Sequence, residues 1–119
     1  MNSTEMLGIM RSLTGDEATA ASAQRRNNEW YVARLDEGMR LLYDNCPESQ
    51  LDDTGLGLVA FAKVDQSSPD AELWPSDLYL MDLAHYVAYR FFVNDAGDTQ
   101  DSSRAEAHKK MCLGTVLIR

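Results

Sequence analysis

Two sets of side chains stand at spacings that permit chemistry. His108 and Cys112 lie four residues apart in a segment of helical composition, so they would share one helix face, the geometry that a metal pair or a Cys–His nucleophile needs. Completing a tetrahedral site would require Cys46 and His85, or carboxylates, to converge on them. The chain has neither CxxC nor HExxH, and no orienting group or oxyanion motif accompanies the thiol. The preferred reading is therefore two separate helical residues. Asp82, His85, Tyr86 and Tyr89 form the second set, a stripe on one helix in which an Asp–His contact could move a proton. No nucleophile accompanies them, so they are read as a buried polar set that satisfies itself and the phenolic hydroxyls.

Asp95, Asp98 and Asp101 invite a calcium-loop reading, but N-D-A-G-D-T-Q-D lacks the alternating ligands and terminal glutamate of an EF-hand and reads as a solvated turn. Gly55-Leu56-Gly57 is too short for a phosphate loop. No catalytic residue, metal ligand or cofactor is assigned, and the chain is not read as an enzyme.

The elements that would carry these residues are mostly helices. Asn2 and Glu5 have capping-box spacing, and Met6, Ile9, Met10 and Leu13 recur at helical intervals before Gly15. Residues 16–26 are alanine-rich without an apolar stripe, so a helical extension and a solvent-bridging segment both stay open. A second helix starts with Asn27 or Asn28 as N-cap, gathers Tyr31, Leu35, Met39, Leu42 and Tyr43 on one face, and stops at Cys46-Pro47. Residues 48–55 form a polar, acidic connection. Residues 57–64, G-L-V-A-F-A-K-V, are β-rich and predict a short strand. Its partner would be the segment around Leu73, the chain's own terminus or another subunit.

Pro75 and Ser76 open a central helix. From Leu78 to Val93 only Asp82, His85 and Arg90 are charged or titratable near neutral pH, and a helix apolar nearly all round needs protein on nearly all sides. A polar turn at 94–102 follows. Ser103 and Glu106 repeat the capping-box spacing, so a last helix is predicted from Arg104 to about Cys112. Beyond Gly114 the chain runs Thr115-Val116-Leu117-Ile118-Arg119, an apolar, β-branched segment of the kind that is tied down by a partner. The expected fold is mainly all-α: a single domain over 1–119, a small helical bundle with a short β insertion near 57–64 and an extended C-terminal tail at 113–119.

Composition narrows the function. A chain of 119 residues with 45% hydrophobic content supports one core and excludes wholesale disorder. No apolar run reaches the roughly 18 to 20 residues of a bilayer span, so no membrane partner is expected. The first residues, with Glu5 among them, lack the pattern of an export signal, and Cys46 and Cys112 have no disulfide-framework spacing. Free thiols in the cytosol are expected. With 11 basic and 19 acidic residues, the net charge of −8 repels phosphate and argues against wrapping nucleic acid. Such a surface suits solubility, a basic protein partner, or the lining of a passage through which a polyanion slides. An apolar helix, a strand in want of a partner and an apolar tail are the needs of a subunit in an assembly.

The stretch Trp74-Pro75-Ser76-Asp77-Leu78-Tyr79, then Ala84 to Asp95 with Ala88-Tyr89-Arg90, then Arg104-Ala105-Glu106-Ala107-His108, resembles the closing helical hairpin of bacteriophage head-to-tail adaptor (connector, neck) proteins. Asn28-Glu29-Trp30 with Leu35 to Gly38 and the stop at Pro47 is similar to the family's earlier helix. The middle region, 51–72, is shorter than the sheet-containing insertion of adaptors from short-tailed phages, and residues 1–24 carry no match.

The resemblance implies a structural virion protein of the neck, assembled from the host cytoplasm as a ring of about a dozen copies under the portal protein. That ring would extend the DNA channel, present a platform to tail or nozzle proteins, and take part in DNA ejection. On this reading Thr115, Val116, Leu117, Ile118 and Arg119 dock on the portal by strand addition. Asp52, Asp53, Asp95, Asp98 and Asp101 are candidates to face the lumen, where carboxylates let double-stranded DNA pass without specific binding. Trp74, Pro75, Tyr86, Tyr89 and Arg90 form the core signature. The alternative is a small acidic binding module, an inhibitor or DNA mimic, acting on a basic host protein.

Overall fold

A computed structural model of the chain describes residues 1–16, 26–51, 60–64, 71–73, 77–94 and 99–111. Its four helices are α1 (Ser3–Thr14), α2 (Asn28–Asn45), α3 (Asp77–Asn94) and α4 (Thr99–Met111), with a short 3₁₀ helix at Pro47–Gln50.

Local chemistry sets the ends of α1 and α2. The Asn2 side chain accepts from the Glu5 backbone N–H at 2.9 Å, and the Asn2 N–H donates to the Glu5 carboxylate at 3.3 Å. This reciprocal box satisfies two of the N–H groups that a helix start leaves orphaned. Gly15 closes α1 at φ 71°, in the left-handed region where a residue without Cβ carries no steric penalty. Asn27 caps α2 by accepting from the Trp30 N–H at 2.9 Å. At the other end the Ser49 hydroxyl donates to the Cys46 carbonyl at 2.7 Å, and the Gln50 amide donates to the Tyr43 carbonyl at 2.6 Å. The Tyr43 carbonyl, which the missing Pro47 N–H would leave unpaired, and the Cys46 carbonyl at the helix end are thus both satisfied.

α3 is the hub, with α1, α2 and α4 all packed on it. Leu80, Leu83, Ala84, Tyr86, Val87, Ala88, Phe91 and Phe92 are buried along its length and meet Met6 and Met10 of α1, Tyr31, Leu35, Met39 and Leu42 of α2, and Ala105 of α4. The apolar excess that asked for surroundings is therefore absorbed largely within the chain. Among the large apolar side chains of α3, only Met81 (45% exposed) and Val93 (42%) are described as open to solvent.

Two expectations change. The last helix starts at Thr99 and not at Arg104, so Ser103 and Glu106 lie on its exposed face and their capping-box spacing caps nothing. Asp101 consequently sits in the first helical turn, where an acidic residue is favoured by the helix dipole, and not in a turn. The described part of the β-rich segment, 60–64, takes no regular secondary structure. Instead the Val64 N–H donates to the Asp36 carboxylate at 2.8 Å, and the Phe61 ring meets Tyr43 edge-on with centroids 5.6 Å apart. The Leu73 segment is occupied elsewhere: its N–H donates to the Met1 carbonyl at 2.9 Å, Asn2 and Glu72 form an antiparallel bridge, and the terminal amine pairs with the Glu72 carboxylate. Residues 57–59 and the tail at 113–119 lie outside the described residues.

Candidate functional site

Three polar clusters sit between the helices, each built from residues far apart in sequence or at a chain reversal. The first joins α2 to α3. Tyr86 and Arg90, one turn apart, both donate to the same Glu37 carboxylate oxygen, and Arg90 also lies 3.3 Å from the Tyr86 hydroxyl. Arg34 approaches the other Glu37 oxygen at 3.4 Å. The phenol is pushed up to about 12, chiefly by burial and secondarily by the Glu37 carboxylate that accepts its proton. Gly38, next to this carboxylate, lets the α2 backbone approach the Tyr86 ring closely: a Cβ there would stand 2.8 Å from the ring's Cδ1. Two residues of the sequence signature, Tyr86 and Arg90, thus form a clasp that holds α3 against α2, and Tyr89, the other described member, packs half-buried against the core.

A second cluster closes the end of α1. The Arg11 guanidinium and the Asp16 carboxylate, both nearly fully buried, approach to 3.3 Å. Arg11 also donates to the Asp16 and Arg26 carbonyls and to the Asn28 side chain at 2.7 Å, and it lies 4.6 Å from the Tyr31 ring centroid. Asp16 in turn accepts from the Tyr31 hydroxyl at 2.9 Å and from the Arg26 N–H at 3.0 Å. Burial raises the Tyr31 phenol well above its ordinary range. Sequence reasoning missed this cluster. The available signal was Arg11 itself, placed on the same face as Met6, Met10 and Thr14, where an arginine needs a buried counter-charge.

The third cluster lies within the α3–α4 hairpin. His85 and His108 face each other through their Nδ1 atoms at 2.9 Å, and Phe92 stacks on the His108 ring at 5.6 Å with planes 8° apart. Burial lowers the proton affinity of both imidazoles. The Asp82 charge partly restores it at His85, while the His85 charge lowers it further at His108. Asp82 itself is raised, mainly by burial. The stripe Asp82, His85, Tyr86, Tyr89 is therefore not one self-satisfying set: His85 turns to α4 and Tyr86 to α2, because neighbouring helices meet different sides of α3.

No group of three His, Cys, Asp or Glu side chains converges among the described residues in a way that would hold a metal ion. Cys46 is a free, half-buried thiol, and Cys112 lies outside the described residues. So do Asp52, Asp53, Asp95, Asp98, Trp74, Pro75 and the tail residues Thr115, Val116, Leu117, Ile118 and Arg119.

One surface feature accompanies these clusters. An open groove of about 650 Å³ lies along α1, lined by Met1, Glu5, Ile9, Ser12, Leu13 and the exposed Met81. Comparison of the chain with family models, with curated proteins and with solved structures finds no match.

Proposed function

We propose that the chain is a bacteriophage head-to-tail adaptor, a structural subunit that forms a ring beneath the portal protein. The reading is supported foremost by the use of Tyr86 and Arg90. These signature residues spend their polar atoms on Glu37 between two helices, so the motif that carries the resemblance does architectural work, as a ring subunit's motif should. The apolar groove of Ile9, Leu13 and Met81 gives a neighbouring copy something to cover.

In this role the segment Thr115 to Arg119 docks on the portal, and the acidic excess keeps the channel wall from binding DNA, with Asp52, Asp53, Asp95, Asp98 and Asp101 as the candidate lining. Tail or nozzle proteins would attach to the opposite rim. The test is the mass of the portal ring before and after mixing with the purified chain. Addition of about a dozen copies, lost on deleting 115–119 from a chain that keeps its helical circular dichroism, is the expected result. Failure of the intact chain to bind the portal would refute the adaptor reading. A one-to-one, salt-sensitive complex with a basic protein would instead favour the acidic binding module.

A further inference from the structure

We propose that His85 and His108 act as a proton-counting latch on the α3–α4 hairpin: it stays closed while the pair carries at most one extra proton and opens when it takes a second. The geometry supplies the rule. Nδ1 faces Nδ1 at 2.9 Å, so two neutral imidazoles make one N–H···N hydrogen bond, with the donor set by the tautomers. One added proton preserves that bond, because an imidazolium N–H can still donate to a neutral partner. A second proton leaves two donors and two positive charges face to face. The bond is then lost and the contact becomes repulsive.

The groups around the pair have unequal effects. Asp82, on α3 and one turn before His85, is the charge that favours a proton there, so His85 takes the first one. On α4, Arg104 lies 5.7 Å from the centroid of Phe92, the ring stacked on His108, and Lys109 follows His108 in sequence. The charge that disfavours the second proton at His108 is that of His85 itself. From α1 and α2, packed on other sides of α3, no described charge acts on either imidazole.

The hairpin is where such a latch has leverage. Among the side chains of α4 that are described, Ala105 alone is buried and His108 and Lys109 are half-buried. Among the described residues His108 is one of the few α4 side chains turned inward, and it meets α3 directly at His85, so the state of this pair bears on local opening of the hairpin, which can precede opening of the core. The linkage has a definite sign. The closed hairpin disfavours protonation of both groups, whereas the opened one titrates at the ordinary value of 6.5. Closure is complete above about 6.5 and weakens as the pH falls through that value, until the lowered values of the closed state are reached.

Amide hydrogen exchange of the intact chain between pH 7.5 and 5.5, corrected for intrinsic rates, tests this. Protection in 104–110 should fall by up to about tenfold per pH unit for each extra proton taken up on opening, while protection in α2 holds. His85→Gln/His108→Gln should keep the helices and lose that pH dependence. In the unmodified chain the two imidazole resonances should titrate in two separated steps, which needs no variant to fold. Independent titration of both at the ordinary value, α4 protection that does not change with pH, or a pH dependence that survives in the double variant would overturn the latch.

Discussion

Replacing Gly38 by alanine should destabilise the protein even though alanine is the better helix former. Gly38 lies in α2, where the exchange by itself favours folding by about 1 kcal/mol. Its Cβ would stand 2.8 Å from Tyr86 Cδ1, 3.3 Å from Cε1 and 3.2 Å from a methyl of Leu83. Ordinary carbon contacts lie at about 3.5–4.0 Å, so the ring or the helix must give by the better part of an ångström. The ring has little freedom to do so, since its hydroxyl is bonded to Glu37, the residue beside Gly38, and Arg90 fixes the same carboxylate. Overpacking of this kind costs about 1–3 kcal/mol. The two effects together leave a net loss of up to about 2 kcal/mol, which lowers the urea midpoint by up to about 1 M. Gly8, in α1, is the internal control: nothing lies within 4 Å of a Cβ built there, so Gly8→Ala should stabilise by about 0.5–1 kcal/mol. In a Tyr86→Phe background the ring is released from Glu37, and the cost of Gly38→Ala should shrink. Equal midpoints for Gly38→Ala and Gly8→Ala would show that the α2–α3 approach is not as close as described.

Asp16→Ala should cost at least about 3 kcal/mol in urea unfolding, because it leaves a buried guanidinium whose remaining acceptors are two carbonyls and Asn28; a loss below 1 kcal/mol would show that Arg11 escapes to water. Tyr86 is neutral in the folded state up to about 12 and ionises near 10 when unfolded. Its contribution is thus fully present below about pH 10 and is lost as the pH rises towards 12. Tyr86→Phe should flatten the fall in urea midpoint over that range, and an unchanged slope would refute the assignment.

The helix boundaries set by short-range chemistry were legible. Asn2 with Glu5, Asn27 before Trp30 and Pro47 after Cys46 each act within a turn of the chain, and each acts as the spacing predicts. The Ser103–Glu106 spacing misled because the same four-residue pattern also occurs on the exposed side of a helix already under way. Pairings across helices were not legible. Tyr86 meets Glu37 49 residues away, and His85 meets His108 23 residues away; both choices depend on which neighbour covers which side of α3, and an apolar helix without a clear stripe does not disclose that. β-propensity was a weak guide for a related reason. It expresses fit to a paired, pleated surface, and the Leu73 segment that might have paired with 60–64 is bonded to Met1.

The two apolar outlets of α3 bear on the kind of assembly a partner would complete. Met81 and Val93 are twelve residues apart on one helix, which places them about 18 Å apart along the axis and about 120° apart around it. One adjoins the groove of Ile9 and Leu13; the other lies near the far end of α3. A two-fold dimer uses one self-complementary patch, whereas a ring needs two different patches that meet head to tail. In the ring proposed above, these separated outlets would be the two surfaces that meet head to tail. Met81→Glu and Val93→Glu, both surface changes, should each leave the fold intact and each abolish ring formation on the portal. Mixed together, the two variants retain one unmodified patch apiece and should form a heterodimer that cannot close. Rings formed by either variant alone, or the absence of any association in the mixture, would refute the head-to-tail arrangement.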